Sequence, residues 1–196
     1  MQPGLITSFT IGGMLLISLL AFNVNMSSTT QQTTLTTINQ LNVDNIAQVL
    51  EMDFKRIGFN DVNESETFEK PVLSSSDSVH IEFIINDSND TIEWYADPGD
   101  LVTNTTNPDD YYLYREENGV VTSFFPVVYF DIKYLVYSDV TRSWTETANP
   151  ENAKRFIVEF VLESGETIRQ KNNVDATYHL TAWKRTYTPN NINKPW

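Results

Sequence analysis

No cysteine occurs anywhere in the 196 residues, which excludes disulfides, thiolate nucleophiles and Cys-ligated zinc. Histidine is almost as scarce: His80 and His179 are the two, and they form no H-x-x-x-H or H-E-x-x-H pair. Only seven glycines are present, and no P-loop, dinucleotide fingerprint or G-x-S-x-G turn is built from them. Both histidines fall in stretches that read as strands, where a satisfied or solvated imidazole is the ordinary reading, so the chain is not expected to be an enzyme. Positive charge is thin as well, with 13 Lys+Arg against 26 Asp+Glu and a net charge of −13. Nucleic acid is therefore excluded as a partner, because binding it requires cations that displace counterions from phosphate. The acidity reads as solubility outside the cell, with a cation-binding or oppositely charged partner surface as the alternative. Proline is missing too: after Pro3 there is none until Pro71, so nothing of that kind breaks a helix early in the chain.

What fills that early stretch is apolar. Residues 5–24 carry no ionisable side chain, and about 20 residues at ~1.5 Å each match the ~30 Å hydrocarbon core of a bilayer. Thr7, Thr10 and Ser18 can return their hydroxyls to the helix backbone. A transmembrane helix is expected. A cleaved secretory signal would need a basic start and a small-x-small site, and neither is present. The positive-inside rule has little to count, since Lys55 and Arg56 are the first basic residues after the span. The acidic remainder favours export of the C-terminal side.

Residues 25–37 are polar and threonine-rich, a poor helix former taken alone. From there Leu35, Ile38, Leu41, Ile46, Val49 or Leu50, Phe54 and Ile57 recur at helical spacing, with Asp44, Gln48, Glu51 and Lys55 opposite. Gly58 stands where a left-handed residue would end the helix.

Beyond Gly58 the pattern turns to strands. Residues 79–85 and 91–95 flank a turn-rich link at 86–90, and 111–115 and 120–124 flank Asn118-Gly119, a type I′ hairpin signal. Residues 127–137 are expected as a long strand with Pro126 at its start, 155–162 as a partner of 167–170, and 177–187 as a terminal strand. The fold class is α+β: a long N-terminal helix, half transmembrane and half amphipathic, packed on an antiparallel sheet. The organisation is 1–4 as a leader, 5–24 as the span, 25–58 as an amphipathic stalk and 59–196 as a β-rich extracytoplasmic domain.

A short leader ending in Gly4, an unbroken apolar helix and an amphipathic extension into a β-domain together resemble the type IV pilin and pseudopilin superfamily. The segment 46–59, with Glu51, the Lys55-Arg56 pair and Ile57-Gly58-Phe59, is similar to the end of the long helix in W-type minor pilins and J-type minor pseudopilins. Residues 130–137 are similar to a mid-domain strand of those proteins. The resemblance implies cleavage between Gly4 and Leu5, methylation of the new N-terminus, and assembly into a type IV pilus or type II secretion filament with other such subunits. Leu15, Leu16, Leu19 and Leu20 would supply the packing surface and Gly12-Gly13 a close approach. The chain would then sit as a single pass in the cytoplasmic (inner) membrane, in contact with lipid, its C-terminal domain periplasmic or extracellular. Two departures stand out. Phe9 occupies the fifth position after the cut, where the family carries Glu, which suits a tip or priming subunit. The leader also has no basic residue. The alternative is a single-pass anchored binding or adhesion protein with no filament.

Three further features carry weaker signals. Asp97, Asp100, Asp109 and Asp110, with Asn104 and Asn107, supply oxygen ligands of the sort Ca²⁺ takes, but a solvated loop is the plainer reading. No cofactor is expected. Asn25, Asn63, Asn86, Asn89 and Asn104 each begin an N-x-Ser/Thr sequon, meaningful only in a glycosylating host. Trp94, Tyr95, Tyr111, Tyr112, Trp144 and Trp183 read as core or cross-strand aromatics, with a binding face as the alternative.

Overall fold

The computed structural model describes residues 3–58, 71–85, 90–171, 175–189 and 192, and its first element is one unbroken helix, α1, Pro3–Arg56. The threonine stretch does not interrupt it. Thr29, Thr30, Thr33, Thr34, Thr36 and Thr37 each donate the hydroxyl to the carbonyl four residues back, at 2.9–3.0 Å. Polar side chains that otherwise compete with the helix are thus absorbed by it. Gly58, at φ 68°, turns the chain out after the last turn, and its N–H donates to the Ile84 carbonyl at 3.1 Å.

Ten strands follow. β1 His80–Ile84, β2 Thr91–Leu101, β3 Tyr111–Glu117 and β4 Val120–Val127 form an antiparallel meander in the order β1-β2-β3-β4. β5 Tyr129–Ser138, β6 Ser143–Glu146, β7 Arg155–Glu163 and β10 Leu180–Tyr187 form a second sheet in the order β10-β7-β5-β6. β8 Arg169–Lys171 and β9 Asp175–Thr177 pair as a separate ribbon. The fold is α+β, as expected, with two sheets rather than one against the helix.

Both expected hairpins of the first sheet are present, Ile81 opposite Trp94 in one and Glu117 opposite Val120 in the other. Asn118 and Gly119 have φ 54° and 74°, which the I′ turn demands. The link of the first hairpin, residues 86–89, lies outside the described residues, as do Met1, Gln2, Phe59 and the sequons at Asn63, Asn86 and Asn89.

Three strand expectations need correction. Pro126 is not the start of the long strand; it lies in β4 opposite Tyr112, on an edge strand where a missing N–H costs no ladder bond. The chain crosses between sheets at Val128, whose N–H donates to the Val161 carbonyl at 2.9 Å. Second, 155–162 does not pair with 167–170. β7 alternates inward Phe156, Val158, Phe160 and Leu162 along its whole length and takes full-length neighbours on both sides, β5 and β10. The three-residue β8 could not cover such a strand. Third, the terminal strand begins at Leu180, so His179 precedes it.

The helix stripe is also rotated from the expected one. Val43, Ile46, Leu50, Phe54 and Ile57 are buried, whereas Ile38 and Leu41 are 50% and 62% exposed. Among the described residues the sheets meet α1 from Asn39 onward, which leaves Ile38 outside the core, while Leu41 lies on the side of the helix opposite Val43, Ile46 and Leu50. Phe54 is the central contact. Its ring lies 5.7 Å from Phe83 of the first sheet, and 5.8 Å and 4.8 Å from Phe156 and Tyr187 of the second. One helical side chain thus joins both sheets into a single core.

Candidate functional site

The feature that sets this molecule apart is a rod that is half docked and half bare. From Ile6 to Met26 every large apolar side chain described on α1 is exposed, among them Phe9, Ile11, Met14, Phe22 and Val24. Among the described residues this is one helix long and apolar enough to cross a membrane, and none of its apolar window is buried. Its hydroxyls are internally satisfied: Thr7 and Ser8 donate to the Gly4 carbonyl, Thr10 to Ile6 and Ser18 to Met14, at 2.8–3.1 Å. A surface so large and so apolar is stable in lipid or against other helices, not in water. A span of this kind followed by a soluble β-domain is consistent with single-pass membrane anchoring.

Leu15, Leu16, Leu19 and Leu20 follow Gly12 at helical offsets that place them on one face, and all four are exposed. Nothing lies within 4 Å of where a Cβ on Gly12 or Gly13 would sit, so that strip is open to close approach by another helix. Gly4 is equally open. Residues 25–38 then add ~20 Å of polar helix at ~1.5 Å per residue, a spacer between the span and the domain.

Where the rod enters the domain, three polar contacts hold it. Asn39, buried, donates its amide to the carbonyls of Leu162 (3.3 Å) and His179 (3.1 Å) and to the Thr181 hydroxyl (3.1 Å), closing the end of the β7–β10 ladder. Deeper in, Asp53 is 0% exposed and faces Arg115 of β3, itself 6% exposed. The guanidinium binds the carboxylate through two bonds, Nε to Oδ2 at 2.7 Å and Nη2 to Oδ1 at 3.0 Å. Trp94 Nε1 donates to the same Oδ2 at 2.9 Å. Arg115 also reaches Thr122 at 2.6 Å and Glu117 at 3.3 Å. The Asp53 carboxylate holds the guanidinium above its ordinary range, against burial, which works the other way. At the helix surface, Arg185 of β10 pairs with Glu51, which also pairs with Lys55 at 2.8 Å.

Sequence reasoning missed the Asp53–Arg115 pair and the Asn39 clamp. Their signal was a polar residue in an inward register: Asp53 sits with Ile46, Leu50 and Ile57 at helical spacing, where a charge needs a buried partner.

The acidic-loop residues are separated into local contacts. Asp97 Oδ1 accepts the Gly99 N–H at 2.9 Å, and Asp100 accepts the Tyr114 hydroxyl. Asp110 accepts from Thr105 at 2.9 Å and Asn107 at 3.2 Å, while the Asp109 N–H donates to Asn107 Oδ1 at 3.1 Å. Burial pushes the Asp110 carboxyl up; the Thr105 bond opposes this, and Glu163 and Asp109 add repulsion. Among the described residues no three carboxylate or imidazole groups come together as metal ligands. His80 opens β1 with Nε2 2.9 Å from Glu93, and His179 lies at the end of the other sheet, its N–H on Ser164 Oγ at 2.9 Å.

The aromatics divide by face. Trp94 is core, stacked on Phe125 at 6.0 Å. Trp183 stacks on Phe160 at 4.9 Å, and Trp144 meets Tyr137 at 5.5 Å and the Arg155 guanidinium at 3.9 Å. Tyr111 is half-buried, whereas Tyr95 and Tyr112 stand on the outer face of the first sheet. Comparison with protein-family models, with curated proteins and with solved structures returned no match.

Proposed function

We propose that the chain is a membrane-anchored structural subunit of the pilin or pseudopilin kind, assembling through the bare half of α1 and presenting the β-domain on the outer side of the cytoplasmic membrane. The observation that carries the reading is the continuity of α1: one helix whose N-terminal half exposes every large apolar side chain described on it, and whose C-terminal half is fixed between two sheets. A rigid rod of that design transmits lateral helix packing directly into the placement of the domain. Cleavage after Gly4 would start the rod at Leu5, with the leucine face and Gly12-Gly13 as its contact strip. Phe9 removes the intramembrane carboxylate that would otherwise need an amine from a neighbour, which fits a position at the filament end.

A second reading, a lone anchored binding protein, is favoured by one observation: the outer face of the first sheet presents aromatic rings beside a row of three carboxylates that, among the described residues, no lysine or arginine neutralises. Intact mass of the protein extracted from its native membrane separates the two. A chain beginning at N-methylated Leu5 supports the subunit reading. One that retains Met1 refutes processing of the pilin type and leaves the plain anchor.

A further inference from the structure

The outer face of the first sheet carries two parallel rows of side chains that its own fold does not explain. Strand register sets them. Phe124 of β4 lies opposite Tyr114 of β3, Tyr114 opposite Tyr95 of β2, and Tyr95 opposite His80 of β1. One step along the strands, Glu116 lies opposite Glu93, and Glu93 opposite Glu82. Side chains alternate across a sheet, so both rows point away from the core that Ile81, Phe83, Ile92, Trp94 and Leu113 build on the other face.

The aromatic row is ordered and accessible. Tyr95 and Tyr114 stack at 5.1 Å, Tyr112 tilts against Tyr114 at 5.8 Å, and Phe124 meets Tyr112 edge-on at 5.4 Å. Phe124 is 61% exposed. The phenols are tied down, Tyr95 to Glu116 at 2.8 Å and Tyr114 to Asp100. The Asp100 bond, then burial, pushes the Tyr114 hydroxyl up to about 12, so the ring stays neutral and its face electron-rich.

The glutamate row is electrostatically costly. Like charges directly opposite one another destabilise a sheet. Burial, and beyond it repulsion from Glu116 and Glu82, raises the Glu93 carboxyl, while His80 pulls it down. Among the described residues no lysine or arginine pairs with any of the three; His80 is the sole basic contact. The one arginine of the same strands, Arg115, points to the opposite face and is engaged by Asp53.

The geometry points to a docking surface for an arginine- or lysine-bearing segment of another protein, its cations lying over the Tyr95–Tyr114–Phe124 row and against the Glu82–Glu93–Glu116 row. A guanidinium gains from the ring faces and relieves the carboxylate repulsion in the same step. A neutral sugar would use the rings and leave the repulsion in place. A second copy of this chain is disfavoured by its own net charge of −13, and so is an anionic lipid surface. The inference is independent of whether α1 packs in a filament.

The test uses the full chain in zwitterionic lipid nanodiscs and a fluorescein-labelled peptide of alternating glycine and arginine, read by anisotropy. Its neutral counterpart carries citrulline in place of arginine. Binding of the arginine peptide is expected to fall about tenfold in E93Q/E116Q and about tenfold in F124A. D139N/E146Q, which removes the same charge from exposed positions on the other sheet, should change it less than about twofold. All these sites are on the surface, and unchanged melting of F124A confirms that lost binding is not lost folding. Equal weakening by the two charge-matched pairs would overturn the proposal by showing a nonspecific field. So would equal binding of the citrulline peptide, displacement by a neutral oligosaccharide, or no binding of the arginine peptide at low salt.

Discussion

Replacing Asp53 by Asn keeps the shape of the side chain and removes its charge from a fully buried site. Three hydrogen bonds converge on that carboxylate, two from Arg115 and one from Trp94. Breaking one side of a buried pair costs about 3–5 kcal/mol, because the partner remains buried and uncompensated. Here Arg115 keeps Thr122 at 2.6 Å and a long contact to Glu117 at 3.3 Å, which places the expected cost at the lower end, ~3 kcal/mol. Against a total stability of about 5–15 kcal/mol this is a large loss, equivalent to roughly 6–12 °C in Tm for a domain of this size. Replacing both partners by apolar residues, D53L/R115M, should return to within about 1 kcal/mol of the parent, since no charge is then left alone. Urea unfolding of the full chain in non-ionic detergent, followed by tryptophan emission, measures D53N and also the cycle of parent, D53L, R115M and D53L/R115M, and Trp94 touches the pair. A coupling of ~2 kcal/mol or more is expected. If D53N cost less than about 1 kcal/mol and the two substitutions simply added, the view of this pair as the lock between helix and sheet would be wrong.

Other outcomes follow from the same geometry. Asn39→Ala strips donors from the Leu162 and His179 carbonyls and should cost about 1–3 kcal/mol, with hydrogen exchange accelerated first at the β7–β10 end rather than in the first sheet. Leu16→Arg puts a cation in mid-span at a cost of roughly 2.5–3.5 kcal/mol; carbonate extraction of membranes should release more of this variant than of the parent. Glu93 has a folded-state carboxyl raised above the ordinary 4.5, so its ionisation opposes folding. That penalty is absent below the unfolded value and fully present once pH exceeds the folded one. Glu93→Gln should therefore gain about 0.2–1 kcal/mol at pH 7 and almost nothing near pH 4, compared by thermal melts at the two pH values. A loss at pH 7 would mean the His80 contact outweighs the repulsion.

Local rules were enough for much of this fold. The absence of proline and the helical spacing of Ile46, Leu50, Phe54 and Ile57 announced the long helix, and Asn118-Gly119 announced its hairpin turn down to the sign of φ. Leu41 misled because it lies on the side of the helix away from Val43, Ile46 and Leu50, and Ile38 because periodicity does not tell where the domain ends. That limit is set by Asn39, through carbonyls more than a hundred residues away in the chain. The neighbours of β7 misled for a related reason. A nearby segment is the cheapest partner by loop length, yet a strand buried on one full face needs neighbours of its own length, and those came from β5 and β10. The Asp53–Arg115 pair and the two outer rows of the first sheet depend on register between distant strands, which hydropathy does not encode.

Because the threonine spacer is helical rather than slack, the globular end has a fixed azimuth as well as a fixed height. Each residue added to or deleted from residues 25–38 would swing the whole β-domain by about 100° around the rod while shifting it only ~1.5 Å. Length in that segment is therefore a compass setting. Two chains alike in every contact but one residue apart there would show different sides to the same neighbour.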